Sequence, residues 1–114
     1  MAPELFTIKK RATFVHIRDN GVFIRSNNLN VQKLINQDLD NKIGIGYTAT
    51  KKIGNAVKRN RAKRRMRALI SSLLKQDNIL FKEKYSYVLI AKQSILKASF
   101  FEMHNQLKQC LSRS

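Results

Sequence analysis

Lys51-Lys52-Ile53-Gly54-Asn55-Ala56-Val57-Lys58-Arg59-Asn60-Arg61-Ala62-Lys63-Arg64-Arg65-Met66-Arg67 is the stretch on which the reading of this chain turns. Gly54 is suited to turning the chain, and Asn55 is a good N-cap for a helix that follows. No Gly or Pro occurs from residue 55 to about 75. Ala62, Met66, Leu69, Ile70 and Leu73 recur at helical spacing, so one face is apolar and needs a partner to bury it. The spacing predicts a helix over 55–75, with Asp77-Asn78 marking its end. Nine of the 17 residues from 51 to 67 are basic and none is acidic; no acid occurs between Asp40 and Asp77. A solvated helix face normally mixes signs, because like charges at i, i+4 repel by a few tenths of a kcal/mol per pair. This helix accepts that repulsion repeatedly, which implies an anionic partner.

At about 100° per residue the cations flank the apolar stripe on both sides. Arg59, Lys63 and Arg67, with Asn60 beside them, lie on one flank; Lys58, Arg61 and Arg65 lie on the other, and Arg64 is near the outward middle. A helix charged on both flanks can touch two nucleic-acid segments at once. Arginine predominates, and its planar fork bonds phosphate oxygens bidentately where lysine acts as a point charge. The helix N-terminus adds free N–H groups, with Lys51 and Lys52 just ahead of it.

Working outward, Ile43, Ile45, Tyr47 and Ala49 alternate with Gly44, Gly46, Thr48 and Thr50, the period of two of a half-buried strand. Gly44 and Gly46 leave the second face bare. They admit a close approach by a backbone or a base, or they ease a bend, and the bend is the simpler reading. Asp38 to Lys42 reads as a polar turn. Residues 22–35 read as extended chain interrupted at Ser26-Asn27-Asn28. Lys9 to Ile17 forms a short amphipathic helical stretch with Phe14 and Ile17 on one side, ended by Gly21. Downstream, Tyr85 to Ala91 is β-branched and aromatic enough for a buried strand. A last helix is capped by Ser94 or Ser99, with Leu96, Phe100, Met103, Leu107, Cys110 and Leu111 on one face. The expected order is αββαβα, an α+β fold of the α/β-sandwich kind with helices packed on a central sheet.

The totals fit one domain over residues 1–114, with nucleic acid as the first candidate partner. A chain of 114 residues with 43% hydrophobic residues has enough apolar material for one core. Lys+Arg 23 against Asp+Glu 7 gives a net charge of +16. Self-repulsion on that scale is tolerated where a polyanion neutralises it, so the free protein is expected to be partly unfolded at low salt and to fold with added anions. A lone Cys110, buried in an apolar stripe, builds neither a disulfide nor a zinc site with only His16 and His104. No apolar run approaches a membrane span, and the early apolar residues Leu5, Phe6 and Ile8 are broken by Lys9, Lys10 and Arg11, unlike a signal peptide. A reducing, cytoplasmic setting is expected.

Catalysis by side chains is not supported. Glu4, Asp19, Asp38, Asp40, Asp77, Glu83 and Glu102 are scattered, and no nucleophile–base pairing or phosphate-cradling glycine motif is present. A structural RNA-binding protein such as a ribosomal component remains open on composition alone. A DNA-reading helix would need side chains suited to base edges. A membrane-surface helix conflicts with the need of residues 62–73 to cover a sheet.

Residues 51–67 resemble the signature of the bacterial ribonuclease P protein subunit, Lys-Lys-x-Gly-Asn-Ala-Val-x-Arg-Asn-Arg-x-Lys-Arg-x-x-Arg, at every specified position. Ile8-Lys9-Lys10 with Phe14 and Gly21, the strand before Lys51 and Val88-Leu89-Ile90-Ala91 also fit that family. The resemblance implies an α/β sandwich with a left-handed βαβ crossover, against the usual hand. It further implies a 1:1 partnership with a large catalytic RNA that removes the 5′ leader of precursor tRNA. Mg2+ would be held mainly by the RNA, with no catalytic residue and no small-molecule substrate in this chain. Carried over by position, the RNA-contacting residues are Lys51, Lys52, Asn55, Arg59, Asn60, Arg61, Lys63, Arg64 and Arg67. The flank of Arg59, Asn60, Lys63 and Arg67 would face substrate. Phe14 would lie in a cleft for the single-stranded leader, either stacking on a base or serving as core. Where the family often has a second aromatic one turn on, this chain has Arg18, so contact there would be ionic.

Overall fold

The strand before the motif and the strand after residue 84 are where the alternation and the apolar run place them. The computed structural model describes residues 4–36, 39, 42–76, 81, 82 and 84–112. In chain order these form β1 (Glu4–Thr7), α1 (Arg11–Asn20), β2 (Val22–Ile24), β3 (Leu29–Ile35), β4 (Lys42–Thr48), α2 (Ala56–Gln76), β5 (Tyr85–Ala91) and α3 (Phe100–Ser112). Short 3-10 turns occupy Lys51–Ile53 and Gln93–Leu96. The strands make one sheet in the order β1-β4-β5-β3-β2. β4 pairs in parallel with both β1 and β5, while β3 pairs antiparallel with β5 and β2. β4, α2 and β5 therefore form a βαβ unit between adjacent strands.

The mixed α+β class is as expected, and the order αββαβα needs two additions. The interruption at Ser26-Asn27-Asn28 divides residues 22–35 into β2 and β3. A further strand, β1, precedes the first helix. All four of its residues are exposed, so it carries no alternation to read; it is held by main-chain pairing of Leu5 with Ile43 and Phe6 with Gly44. Of the expected polar turn, Lys42 opens β4, whereas Asp38 and Asp40 lie outside the described residues. Asp77 and Asn78 also lie outside them, just past the last described turn of α2.

One face of the sheet carries α2 and α3. Ala62, Met66, Leu69, Ile70 and Leu73 are all buried, packed with Ile43, Ile45, Tyr87 and Leu89 of the sheet and Met103, Leu107 and Leu111 of α3. Ser99 caps α3, its hydroxyl accepting the Glu102 N–H at 3.4 Å. The apolar face expected of this helix is shorter by two residues. Leu96 falls in the preceding 3-10 turn, and Phe100, the first helical residue, is 40% exposed.

Among the described residues the other face carries α1 alone. Ile8, Ile17 and Val88 are buried there, with Phe14, Leu34 and Ile90 partly covered. The bare lane of Gly44 and Gly46 lets Phe6 of β1 and Phe14 of α1 lie close against β4. A Cβ on Gly46 would lie 2.7 Å from the Phe14 ring, and one on Gly44 would lie 2.9 Å from the Phe6 ring. The glycines thus admit side chains of this same chain, which corrects the reading that they ease a bend.

The turn between β2 and β3 is tied to the last quarter of the chain. The carbonyl of Ser26 accepts Lys92 Nζ at 2.5 Å, that of Asn27 the Ser94 hydroxyl at 3.4 Å, and that of Asn28 the Lys92 N–H at 3.1 Å. Asn28 donates to Gln106 Oε1 at 2.8 Å, and the buried Cys110 thiol lies 3.8 Å from the Arg25 carbonyl.

Candidate nucleic-acid interface

The charged segment is positioned by three local devices. Ile53 is buried in the core, which fixes the 3-10 turn and leaves Lys51 and Lys52 exposed. Gly54 then reverses the chain at φ 138, a left-handed backbone that costs a side-chain-bearing residue strain. Asn55 caps α2 as its sequence position suggests, Oδ1 accepting the Lys58 N–H at 3.0 Å. The first turn of α2 contains no acid, so its positive end is not neutralised from within.

Along α2, Lys58, Asn60, Arg61, Arg64 and Arg67 are exposed, while Arg59, Lys63 and Arg65 are half-buried. Among the described residues, no carboxylate lies within ion-pair distance of any of the nine cations between 51 and 67; the pair recorded is Arg18 with Asp19 in α1. The two flanks differ in what holds them. On the sheet side, the Arg67 guanidinium stands 5.4 Å from the centre of the Tyr47 ring, a cation–π contact that orients it. Burial raises the pKa of the Tyr47 hydroxyl, with Arg67 acting the opposite way. Arg59 on this flank keeps a buried Nε with no acceptor among the described residues. On the far side, Arg65 donates to the Ala98 carbonyl. Arg65 is therefore turned toward the loop before α3, and Lys58 and Arg61 are the outward cations of that flank.

Phe14 and Arg18 come together in a cleft between α1 and the sheet. It encloses about 330 Å³ and is lined also by Arg11, Gln32, Thr48, Thr50, Val88 and Ile90. Phe14 lies across Gly46 with part of its ring covered, so it is both packing and cleft wall. Arg18 stands at the rim; its Nε donates to Asp19 Oδ1 at 3.1 Å, with the Arg18 and Asp19 side chains 62% and 56% exposed. An exposed pair of this kind holds weakly, and the remaining guanidinium N–H groups are available to a phosphate. Thr50, at one end of the cleft, leads directly into Lys51 and Lys52. Sequence reasoning does not single out Arg11 in the cleft, nor Lys92 and Lys97 nearby. Their isolation in the sequence gives no signal; tertiary adjacency does.

Among the described residues no three His, Cys, Asp or Glu side chains gather into a metal site, and no helix is long and apolar enough to cross a membrane.

The sequence profile of the family described as Ribonuclease P matches residues 3–114. This chain belongs to the ribonuclease P protein family. The ribonuclease P protein component of Gluconacetobacter diazotrophicus is 32% identical over 114 residues, all of this chain and 95% of that protein. The corresponding component of Erythrobacter litoralis is 34% identical over 107 residues, 94% of this chain and 84% of that one. The solved structure of the Staphylococcus aureus RNase P protein superposes with a TM-score of 0.77 at 27% identity, covering 95% of this chain and 94% of that one. The five-stranded sheet with three helices is thus the architecture of ribonuclease P proteins. Membership of the ribonuclease P family gives the chain a role in that endoribonuclease and in tRNA processing.

Proposed function

We propose that this chain binds the catalytic RNA of ribonuclease P, in a 1:1 complex, together with the 5′ leader of precursor tRNA, and so assists magnesium-dependent removal of the leader in the cytoplasm. The observation that carries this reading is a run of nine cations, free of carboxylate partners among the described residues, that starts at Lys51, the residue after Thr50 of a cleft that contains an aromatic ring. A base has a face to stack on in the cleft, and its phosphates meet Lys51 and Lys52 on leaving it. Asn55, Arg59, Asn60, Arg61, Lys63, Arg64 and Arg67 supply the rest of the RNA-binding surface. The flank of Arg59, Asn60, Lys63 and Arg67 faces substrate, since Arg67 is braced on the Tyr47 ring and the buried Arg59 Nε has no acceptor among the described residues. Cutting is assigned to the RNA and its magnesium ions, and the protein contributes grip and alignment.

The decisive experiment is reconstitution with a catalytic RNA at low magnesium, measuring leader removal. A rate above that of the RNA alone supports the reading; no gain rejects it. Arg59→Ala with Lys63→Ala should weaken precursor binding more than mature tRNA binding, and equal losses would remove the flank assignment. The phosphate grip carries its own signature. Six to ten contacts lose roughly 10³–10⁵ in affinity between about 50 and about 200 mM salt, so a flat salt profile would contradict it.

A further inference from the structure

The α1 cleft does not end at Thr50. Thr50 and Ile90 are shared with a second depression of about 760 Å³ at the C-terminal ends of the parallel strands β4 and β5. That depression in turn shares Ile53 and Gln93 with a third, about 750 Å³, between the start of α2 and the 3-10 turn before α3. Each has an apolar floor with cations at its edge: Lys51, Lys52 and Lys92 around the second, Lys58, Arg61 and Lys97 around the third. Among the described residues no acid lines any of the three. Lys92 is held in place, its Nζ donating to the Ser26 carbonyl at 2.5 Å. A neutral acceptor leaves the positive charge intact, and two N–H donors of the ammonium remain for a ligand. An ammonium fixed in advance loses less side-chain entropy when it meets a phosphate.

We infer that the three depressions form one continuous track for a single strand of RNA, which leaves the α1 cleft at Thr50, passes Lys92 over the strand ends and finishes against Lys58, Arg61 and Lys97. This rests on the leader-binding reading and extends it: the distal part of the leader, rather than a second RNA, occupies the flank of α2 that faces the Gln93–Leu96 turn. Single-stranded RNA fits because its phosphates repeat along a flexible backbone and its bases stack on apolar surface without a fixed sequence. A duplex is too wide and stiff to follow a path that turns from one face of the sheet across its end.

The test uses the full chain and unstructured oligoribonucleotides of about 4 and about 12 nucleotides, lengths within the site sizes of comparable single-strand binders. Anisotropy gives the affinity of each as a function of salt. The long strand should bind more tightly and with a steeper salt slope, by roughly 0.7 for each added phosphate contact. Lys97→Glu, at an exposed position, should weaken the long strand about tenfold while leaving the short one within about twofold, since one attraction to phosphate becomes a repulsion. Lys92→Gln should act in the same direction, with thermal unfolding followed to separate loss of fold from loss of charge. Equal loss for both lengths, or none for either, overturns the track. If neither strand binds the unmodified protein, the leader-binding reading fails and the track with it. If the short strand binds and length adds nothing, only the track fails.

Discussion

On one face of the sheet, Met66, Leu69 and Leu73 of α2 are fully buried against β4, β5 and α3. On the other, α1 fully buries only Ile17 and leaves Phe14 partly covered above a glycine. The same strands serve both, and their alternation separates the two tasks. Odd-numbered residues of β4 and β5 go into a two-helix core; even-numbered ones floor a cleft. A face covered by a single short helix cannot close over its apolar residues, and the surface left open there is what a base can occupy. Stability is concentrated on the two-helix face, so the α1 face is free to stay shallow.

This division is open to attack from either side. Leu69→Ala on the packed face should cost about 2–5 kcal/mol of stability, the usual range for a buried leucine, measured by denaturant unfolding. Single-strand affinity of the fraction that remains folded should be unchanged; a matching loss of affinity would break the comparison. Gly46→Ala on the open face should cost about 1–3 kcal/mol, because its Cβ meets the Phe14 ring, and should also weaken short oligonucleotides by narrowing the cleft. Phe14→Leu keeps an apolar side chain there, so its stability cost should stay under about 1.5 kcal/mol. Its oligonucleotide affinity should fall about tenfold through lost stacking. The smallest effect belongs to Tyr47. Its hydroxyl pKa is raised by burial in the folded protein, so the neutral form favours folding. That contribution is complete below about pH 10 and disappears as pH rises through the folded value. Tyr47→Phe should therefore flatten the alkaline edge of the stability profile, and an unaltered edge would remove Tyr47 as its source.

How much of this is legible in the chain depends on how local the cause is. The α2 stripe, the Asn55 cap and the Tyr85–Ala91 strand are all visible, because helical periodicity, capping chemistry and β-branched runs are properties of adjacent residues. The run of cations from 51 to 67 is legible for the same reason, whereas the RNA-contacting roles within it come from the family resemblance. β1 is not, since an exposed edge strand held by backbone pairing leaves no pattern in its side chains. Nor is the role of Gly44 and Gly46, which depends on rings arriving from residues 6 and 14. The inward turn of Arg65 toward Ala98 is equally hidden: helical geometry puts it on the same flank as Arg61, and only the loop before α3 distinguishes them. Lys92 gains its meaning from Thr50 and Ser26, both distant in sequence.

The turn at residues 25–28 fastens to side chains as far along as Gln106 and Cys110, with separations of 66 to 85 residues for its longest links. Contacts that span so much chain need most of it to be present before they can form. During synthesis, which runs from the N-terminus, the nascent polypeptide exposes its cationic helix well before this clasp has both halves. The clasp around Lys92 is complete only when both halves are present, and a chain stalled short of residue 106 would display the charge without the Asn28–Gln106 and Arg25–Cys110 links.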